Sequence, residues 1–201
     1  MVKKVFMKKM QSNPKSSKAA KTREHILRSA FSIMEKKGYA STTIRDICAE
    51  ANVSIGTFYI YFPTKNDIFF DIYKKADDYF ADTVVTHFIA KTVPEKIIEF
   101  FRHYARLNLN TGIEITKILY NPDNLWFIKK RKMQTLLEEV IREGQMQKEL
   151  TSDMTAAEMV DFLFILARGC CYNWCIMQGK YDLESQMVFY IEKAISALKK
   201  P

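Results

Sequence analysis

The side chains best suited to recognising another molecule are concentrated between Thr43 and Lys65, in the run TIRDICAEANVSIGTFYIYFPTK. It offers hydroxyls (Thr43, Ser54, Thr57), a guanidinium (Arg45), two phenols (Tyr59, Tyr61) and an ammonium (Lys65), set around an unshielded stretch of backbone at Gly56. That mixture suits the phosphates and base edges of a DNA duplex. Arg45 can bond guanine in a bidentate manner, and Ile55 or the Thr57 methyl can touch a thymine methyl. Thr43 can reach a phosphate or a base edge. Tyr59, Tyr61 and Lys65 are expected to hold phosphates, contacts that set register without carrying sequence information. Gly56 allows close backbone approach.

Other reactive side chains form no catalytic pattern. The sequence has no glycine-rich phosphate loop and no Gly-x-Ser-x-Gly elbow, and His25, His87 and His103 lack metal-ligand spacing. Glu138 and Glu139 are adjacent, so on a helix they point in different directions. Cys170, Cys171 and Cys175 form a cluster, with Cys171 and Cys175 on one helical face. Thiolates bind soft metals, but one rigid helix offers no obvious third and fourth ligand, and buried thiols are common core residues. Core thiols are therefore expected, with a redox role as the alternative. No enzyme activity, cofactor or metal is expected.

The elements that would position these residues are helices. Ile44, Ile47, Cys48 and Ala51 recur at helical spacing. Asn52 marks a corner, since Asn tolerates the left-handed conformation, and Val53 plugs it. Ser54 is a natural N-cap for a second short helix, Ile55 to Phe62, anchored by Phe58 and Phe62. Two short helices about a tight corner are a helix-turn-helix, and a helix fits a major groove about 12 Å wide. A preceding helix over Lys21–Lys37, closed by Gly38, buttresses the pair, and Ser41 and Thr42 are expected to cap the helix starting near Thr43.

Charge supports this division. Up to Lys65 there are thirteen Lys and Arg against four acids; the remaining 18 basic and 19 acidic residues nearly cancel. A basic first third joined to a neutral remainder is the electrostatic footprint of a nucleic-acid-binding module. The expected division is a disordered basic arm over 1–18, a helix-turn-helix domain over 19–65 and a larger helical domain over 66–201. Helices are read over Lys65–Ala90, Glu95–Asn110, Ile113–Tyr120, Leu125–Glu143 (ended by Gly144), Thr155–Gln178 and Leu183–Lys199, so the fold class is all-α with about nine helices. The most apolar stretch, Met159 to Met177, is broken by Asp161, Arg168 and Asn173, which argues against a membrane span. No secretory signal pattern opens the sequence, and a cytoplasmic protein with reduced thiols is expected. The helix beginning at Thr155 is apolar on two sides and must bury both. With a matching stripe on the last helix, Leu163, Leu166, Cys170, Met187, Tyr190 and Ala194 are expected at a homodimer interface.

From Ile26 to about Phe70 the sequence resembles the DNA-binding signature of TetR-family transcriptional regulators. The resemblance is carried by Lys37-Gly38-Tyr39, Thr42-Thr43-Ile44, Ile47, Val53-Ser54, Gly56-Thr57-Phe58-Tyr59, Tyr61-Phe62, Lys65 and Asp67. Cys48, Asn52 and Ile55 depart from the residues commoner at those positions. The resemblance implies a homodimer reading a pseudo-palindromic operator with Thr43, Arg45, Ser54, Ile55, Gly56, Thr57, Tyr59, Tyr61 and Lys65. It further implies a repressor released by a small apolar or aromatic effector in the larger domain, for which Phe101, Tyr104, Trp126, Phe127, Phe162, Asn173 and Trp174 are the candidate lining. Two other readings remain open: a member of that family governed by a protein partner instead of a small molecule, and an all-helical enzyme or lipid carrier.

Overall fold

The computed structural model describes residues 17–120 and 131–199. The expected arm over 1–18 falls almost wholly outside them, as do Trp126, Phe127 and the start of the helix expected at Leu125. Among the described residues there are nine α-helices: α1 (Lys18–Lys37), α2 (Ile44–Glu50), α3 (Ile55–Tyr61), α4 (Asp67–Tyr79), α5 (Val93–Thr111), α6 (Ile113–Leu119), α7 (Lys132–Met146), α8 (Ala156–Ile176) and α9 (Leu183–Leu198). The helix expected from Lys65 to Ala90 is shorter. It begins at Asp67, whose carboxylate accepts from the Thr64 N–H at 2.7 Å, and α4 widens into a π-helical turn over Phe80–Val84.

The chain divides into two compact units. The first comprises residues 1–73 and 110–119, and the second residues 74–109 and 120–201. The first unit thus runs past the expected limit at residue 65 and includes α6, which packs on α1. The core of this unit is built from Ile26, Leu27, Ala30 and Met34 of α1, Ile47 of α2, Phe58 of α3, Phe62, Ile68 of α4 and Ile115 of α6. Gly38 closes α1 at φ 78°, a left-handed geometry that favours glycine.

The second unit is organised around aromatic rings. Phe80 meets Phe100 at 4.4 Å between centroids, Phe101 meets Phe164 at 5.3 Å, and Tyr104 meets Phe164 at 5.5 Å. Each such pair adds about 0.5–1.5 kcal/mol beyond the area it buries. α8 packs against both α7 and α9. α8 also has the length and apolarity of a membrane-crossing segment, and half of its most apolar window is buried inside the chain. Gly144, expected to end α7, lies within it instead. A Cβ there would stand 2.6 Å from Val93 Cγ1, so this glycine serves close packing, not termination.

Candidate nucleic-acid interface

The corner of the helix-turn-helix is closed by hydrogen bonds within the turn and from α1. Asn52 adopts φ 49°, the Val53 N–H donates to Cys48 O at 3.0 Å, and His25 Nε2 lies 3.0 Å from Ala51 O. The cap of α2 is Thr43, not Ser41 or Thr42. Its hydroxyl oxygen accepts from the Asp46 N–H at 3.2 Å, and Asp46 accepts from the Thr43 N–H at 2.8 Å. The Lys37 ammonium joins at 2.6 Å. The side-chain hydrogen bonds from Lys37 and Thr43 hold the Asp46 carboxyl well below the usual carboxylate range. Thr42 is buried instead, its hydroxyl donating to Gly38 O at 2.7 Å. Ser54 caps α3, accepting from the Thr57 N–H at 3.0 Å.

α3 has seven residues and buries only Phe58 within its span; Phe62 is buried just beyond it. These two anchors fix how the helix faces. Gly56 and Tyr59 point outward, and Ile60 is the most open of the large apolar side chains on α3, with 78% of its surface accessible. Ile55 is also exposed, while Thr57 and Tyr61 flank this face half-buried. Arg45 is exposed on α2 and forms no ion pair among the described residues. Ile60 is not among the residues expected to contact DNA. The signal was present, because a residue midway between two inward positions four apart must point away from the core.

Lys65 is placed differently from expectation. Its ammonium donates to Tyr39 O at 3.0 Å and to Thr42 O at 2.9 Å, and it sits 3.9 Å from the centroid of the Tyr39 ring. The partly buried setting lowers its pKa by desolvation. Tyr39 in turn donates to Asn66 and packs against Phe69, with ring centroids 5.1 Å apart. Lys65 is therefore a strut between the start of α4 and the α1–α2 loop. Two of its three N–H donors are engaged within the chain in this way. Behind α3, Arg23 lies over the Phe62 ring at 4.6 Å and pairs with the buried Asp71 carboxylate of α4.

Phe101 and Tyr104 belong to the packed aromatic core, and Trp174 is buried. Phe162 and Asn173 face outward on α8, away from that core. Of the residues expected between subunits, Leu163, Cys170, Met187 and Ala194 are already buried within the chain; Leu166 is half-buried and only Tyr190 is exposed. The outer face of α8 instead carries Phe162, Ile165, Gly169, Tyr172 and Ile176 at helical spacing, with Phe189 and Tyr190 exposed on α9. All four cysteines are free and buried, and burial pushes the Cys170 and Cys171 thiols up, Cys171 strongly. Thiols held neutral are poor nucleophiles, which counts against a redox role.

Residues 26–72 match the family described as bacterial regulatory proteins, tetR family. The chain is 22% identical over 181 residues to a fatty acid metabolism regulator protein of Bacillus subtilis (strain 168), covering 86% of this chain and 93% of that protein. It is 23% identical over 196 residues to a probable acrEF/envCD operon repressor of Escherichia coli (strain K12), covering 89% and 87%. Among solved structures it resembles the transcriptional regulator FadR from Bacillus subtilis in complex with stearoyl-CoA, with a TM-score of 0.69, 20% identity, and coverage of 85% of this chain and 96% of that one.

The strut geometry makes a prediction about Lys65→Met. Losing two charge-assisted hydrogen bonds should cost about 1–2 kcal/mol at this half-buried position, lowering the melting temperature by several degrees. The salt dependence of duplex binding should keep its slope. A slope reduced by about one unit would show that Lys65 contacts a phosphate after all.

Proposed function

We infer that this chain, a transcriptional regulator of the tetR family, works as a homodimeric repressor in the cytoplasm, without enzymatic activity, and is released from its operator by an apolar small molecule bound in the second unit. The observation that carries the DNA-binding part is the outward face of α3. A helix with one buried anchor inside its span, and with Gly56, Tyr59 and Ile60 open to solvent, is built to be covered by something else. A Cβ on Gly56 would meet only Ser54 Oγ, at an ordinary 3.8 Å, so packing within the chain does not demand glycine there. Close approach to a groove floor does. In this reading Ile60 and Ile55 supply apolar contact to thymine methyls, Arg45 reaches a base edge or phosphate, and Tyr59 and Tyr61 hold phosphates. Thr43, Ser54 and Thr57 support the surface chiefly by capping, because their hydroxyls already serve the helix ends.

Dimerisation is supported by the outer face of α8. Ile165 and Ile176 are 67% and 56% exposed, in line with Phe162 and Tyr172, and apolar residues flank them on α9. Gly169 lies in the middle of this stripe with nothing of its own chain near its Cβ position. Glycine inside a helix costs roughly 0.5–1 kcal/mol, and a second copy packed closely against it would offset that cost. Two copies related by a two-fold axis would read half-sites about 34–36 Å apart, or a multiple of that spacing. The relatives with full-length alignments, one of them a regulator of fatty acid metabolism, support an apolar effector with an acyl chain as its first candidate. To release DNA, the effector must bind the DNA-incompetent state more tightly than the competent one.

Two variants test the halves of this reading. Ile60→Ala should keep its melting temperature and its affinity for random duplex DNA. It should lose about 1–3 kcal/mol of binding to the duplex that the wild type prefers, measured by fluorescence anisotropy. Equal loss on both duplexes would remove Ile60 from the reading face. Ile165→Glu should sediment as a folded monomer and lose affinity for the preferred duplex by several orders of magnitude. A dimer that survives this substitution would exclude the α8 face as the interface.

A further inference from the structure

The interior of the second unit answers nearly all of its polar side chains. The Tyr104 and Tyr120 hydroxyls bond each other at 2.7 Å. Asn108 Nδ2 donates to Tyr104 O at 2.8 Å, and the Tyr181 hydroxyl donates to Cys170 O at 2.8 Å. Arg131 is paired with Asp77 at 3.2 Å. The indole of Trp174 is not answered in this way. The residue is only 6% exposed, and its Nε1 is fully buried with no hydrogen-bond partner among the described residues. The indole nitrogen is a donor only, and leaving such a group unanswered is destabilising. Buried polar groups without partners are rare enough in native proteins that each one calls for an explanation.

The surroundings narrow what would answer it. Trp174 follows Cys170 and Cys171 by one turn of α8, and Ala167 by two, so the side chains beside the indole on its buried face are small. Cys171 is hydrogen-bonded to Tyr120, which joins the thiol to the Tyr104–Tyr120 pair. Burial pushes the Cys171 thiol and both phenols up, so all three are neutral at pH 7. A carboxylate or phosphate facing one neutral N–H would keep too few hydrogen bonds to offset its desolvation. A neutral carbonyl oxygen needs one good donor, and its apolar body suits the aromatic neighbours.

We propose that the Trp174 indole N–H is the donor for a neutral carbonyl oxygen, that of an ester, thioester, ketone or amide, on an apolar effector held beside the Tyr104–Tyr120 pair. The proposal rests on the effector reading above and names the polar contact within it. Trp174 is then a specificity residue: it separates carbonyl-bearing ligands from otherwise identical ones that lack the oxygen.

The test uses the full-length protein labelled with 15N at the indole nitrogens. Two ligands serve as probes: stearoyl-CoA, and the thioether S-octadecyl-CoA, in which a methylene replaces the carbonyl. The sequence has two tryptophans, Trp126 and Trp174, and Trp174→Phe identifies their resonances by difference. Without ligand, the Trp174 N–H proton should resonate upfield, as expected of an unbonded indole. Stearoyl-CoA should move it downfield and the thioether should not. Titration calorimetry should give a wild-type preference for the thioester of roughly three- to tenfold, as one neutral hydrogen bond provides. In Trp174→Phe that ratio should fall to about one. The ratio isolates the carbonyl contact from any packing defect, which weakens both ligands alike. A ligand-free resonance already at a bonded position would overturn the proposal, as would equal wild-type affinity for the two probes; neither result touches the effector reading. Binding of neither probe would overturn the acyl class of effector, and this assignment with it.

Discussion

A seven-residue helix has no useful stability of its own in water, because nucleation is costly and few bonds repay it. α3 exists because Phe58 and Phe62 are buried beneath it, Ser54 caps its first turn, and Asn52 turns the chain into it. Every one of these supports acts from one side or from the N-terminal end. The opposite side is therefore free of structural duty, and its residues can be chosen for what they touch outside the molecule. The neighbouring supports serve the same arrangement. Arg23 covers the Phe62 ring while pairing with Asp71, and Lys65 ties the α1–α2 loop to the start of α4. Both cations thereby brace the structure around α3.

The second unit follows a different rule. Its centre is a set of interlocking aromatic rings from the π-helical turn, α5 and α8, and polar groups are admitted where they can bond one another. α8 has to satisfy both sides of a helix that is apolar nearly all round. One side, Leu163, Ala167, Cys171 and Trp174, is consumed by the core. The other, from Phe162 to Ile176, stays uncovered within the chain. An apolar face of that length at regular helical spacing is the counterpart, in this unit, of the open face of α3.

Where function depends on short-range geometry, the sequence was readable. The Asn52 turn, the Ser54 cap and the inward pair Phe58 and Phe62 are all set by residues at most five positions apart. The setting of Lys65 is not legible locally, because its partners lie 23 and 26 residues away and nothing in its immediate neighbours announces two carbonyls. Ile60 is legible as an outward residue from the spacing of the two phenylalanines. On α8 the periodicity was plain but ambiguous, since two adjoining stripes were both apolar. Only the placement of α7, α9 and Phe101 decides which stripe is the core. Leu163, expected between subunits, lies in the core, and Phe162, expected to line a pocket, lies on the exposed stripe. Gly144 looked like a helix end because glycine usually is one there; its contact with Val93 comes from a residue some fifty positions earlier.

The central claim is that this chain reads DNA sequence as a two-fold dimer through the open face of α3. The most direct test is selection of bound duplexes from a random-sequence pool by the full-length protein, carried out at two salt concentrations. The account predicts one inverted repeat, with half-sites about 34–36 Å apart or a multiple of that, still recovered at the higher salt. Recovery of unrelated sequences that disappears as salt rises would contradict it, and would reduce the basic first third to an electrostatic surface.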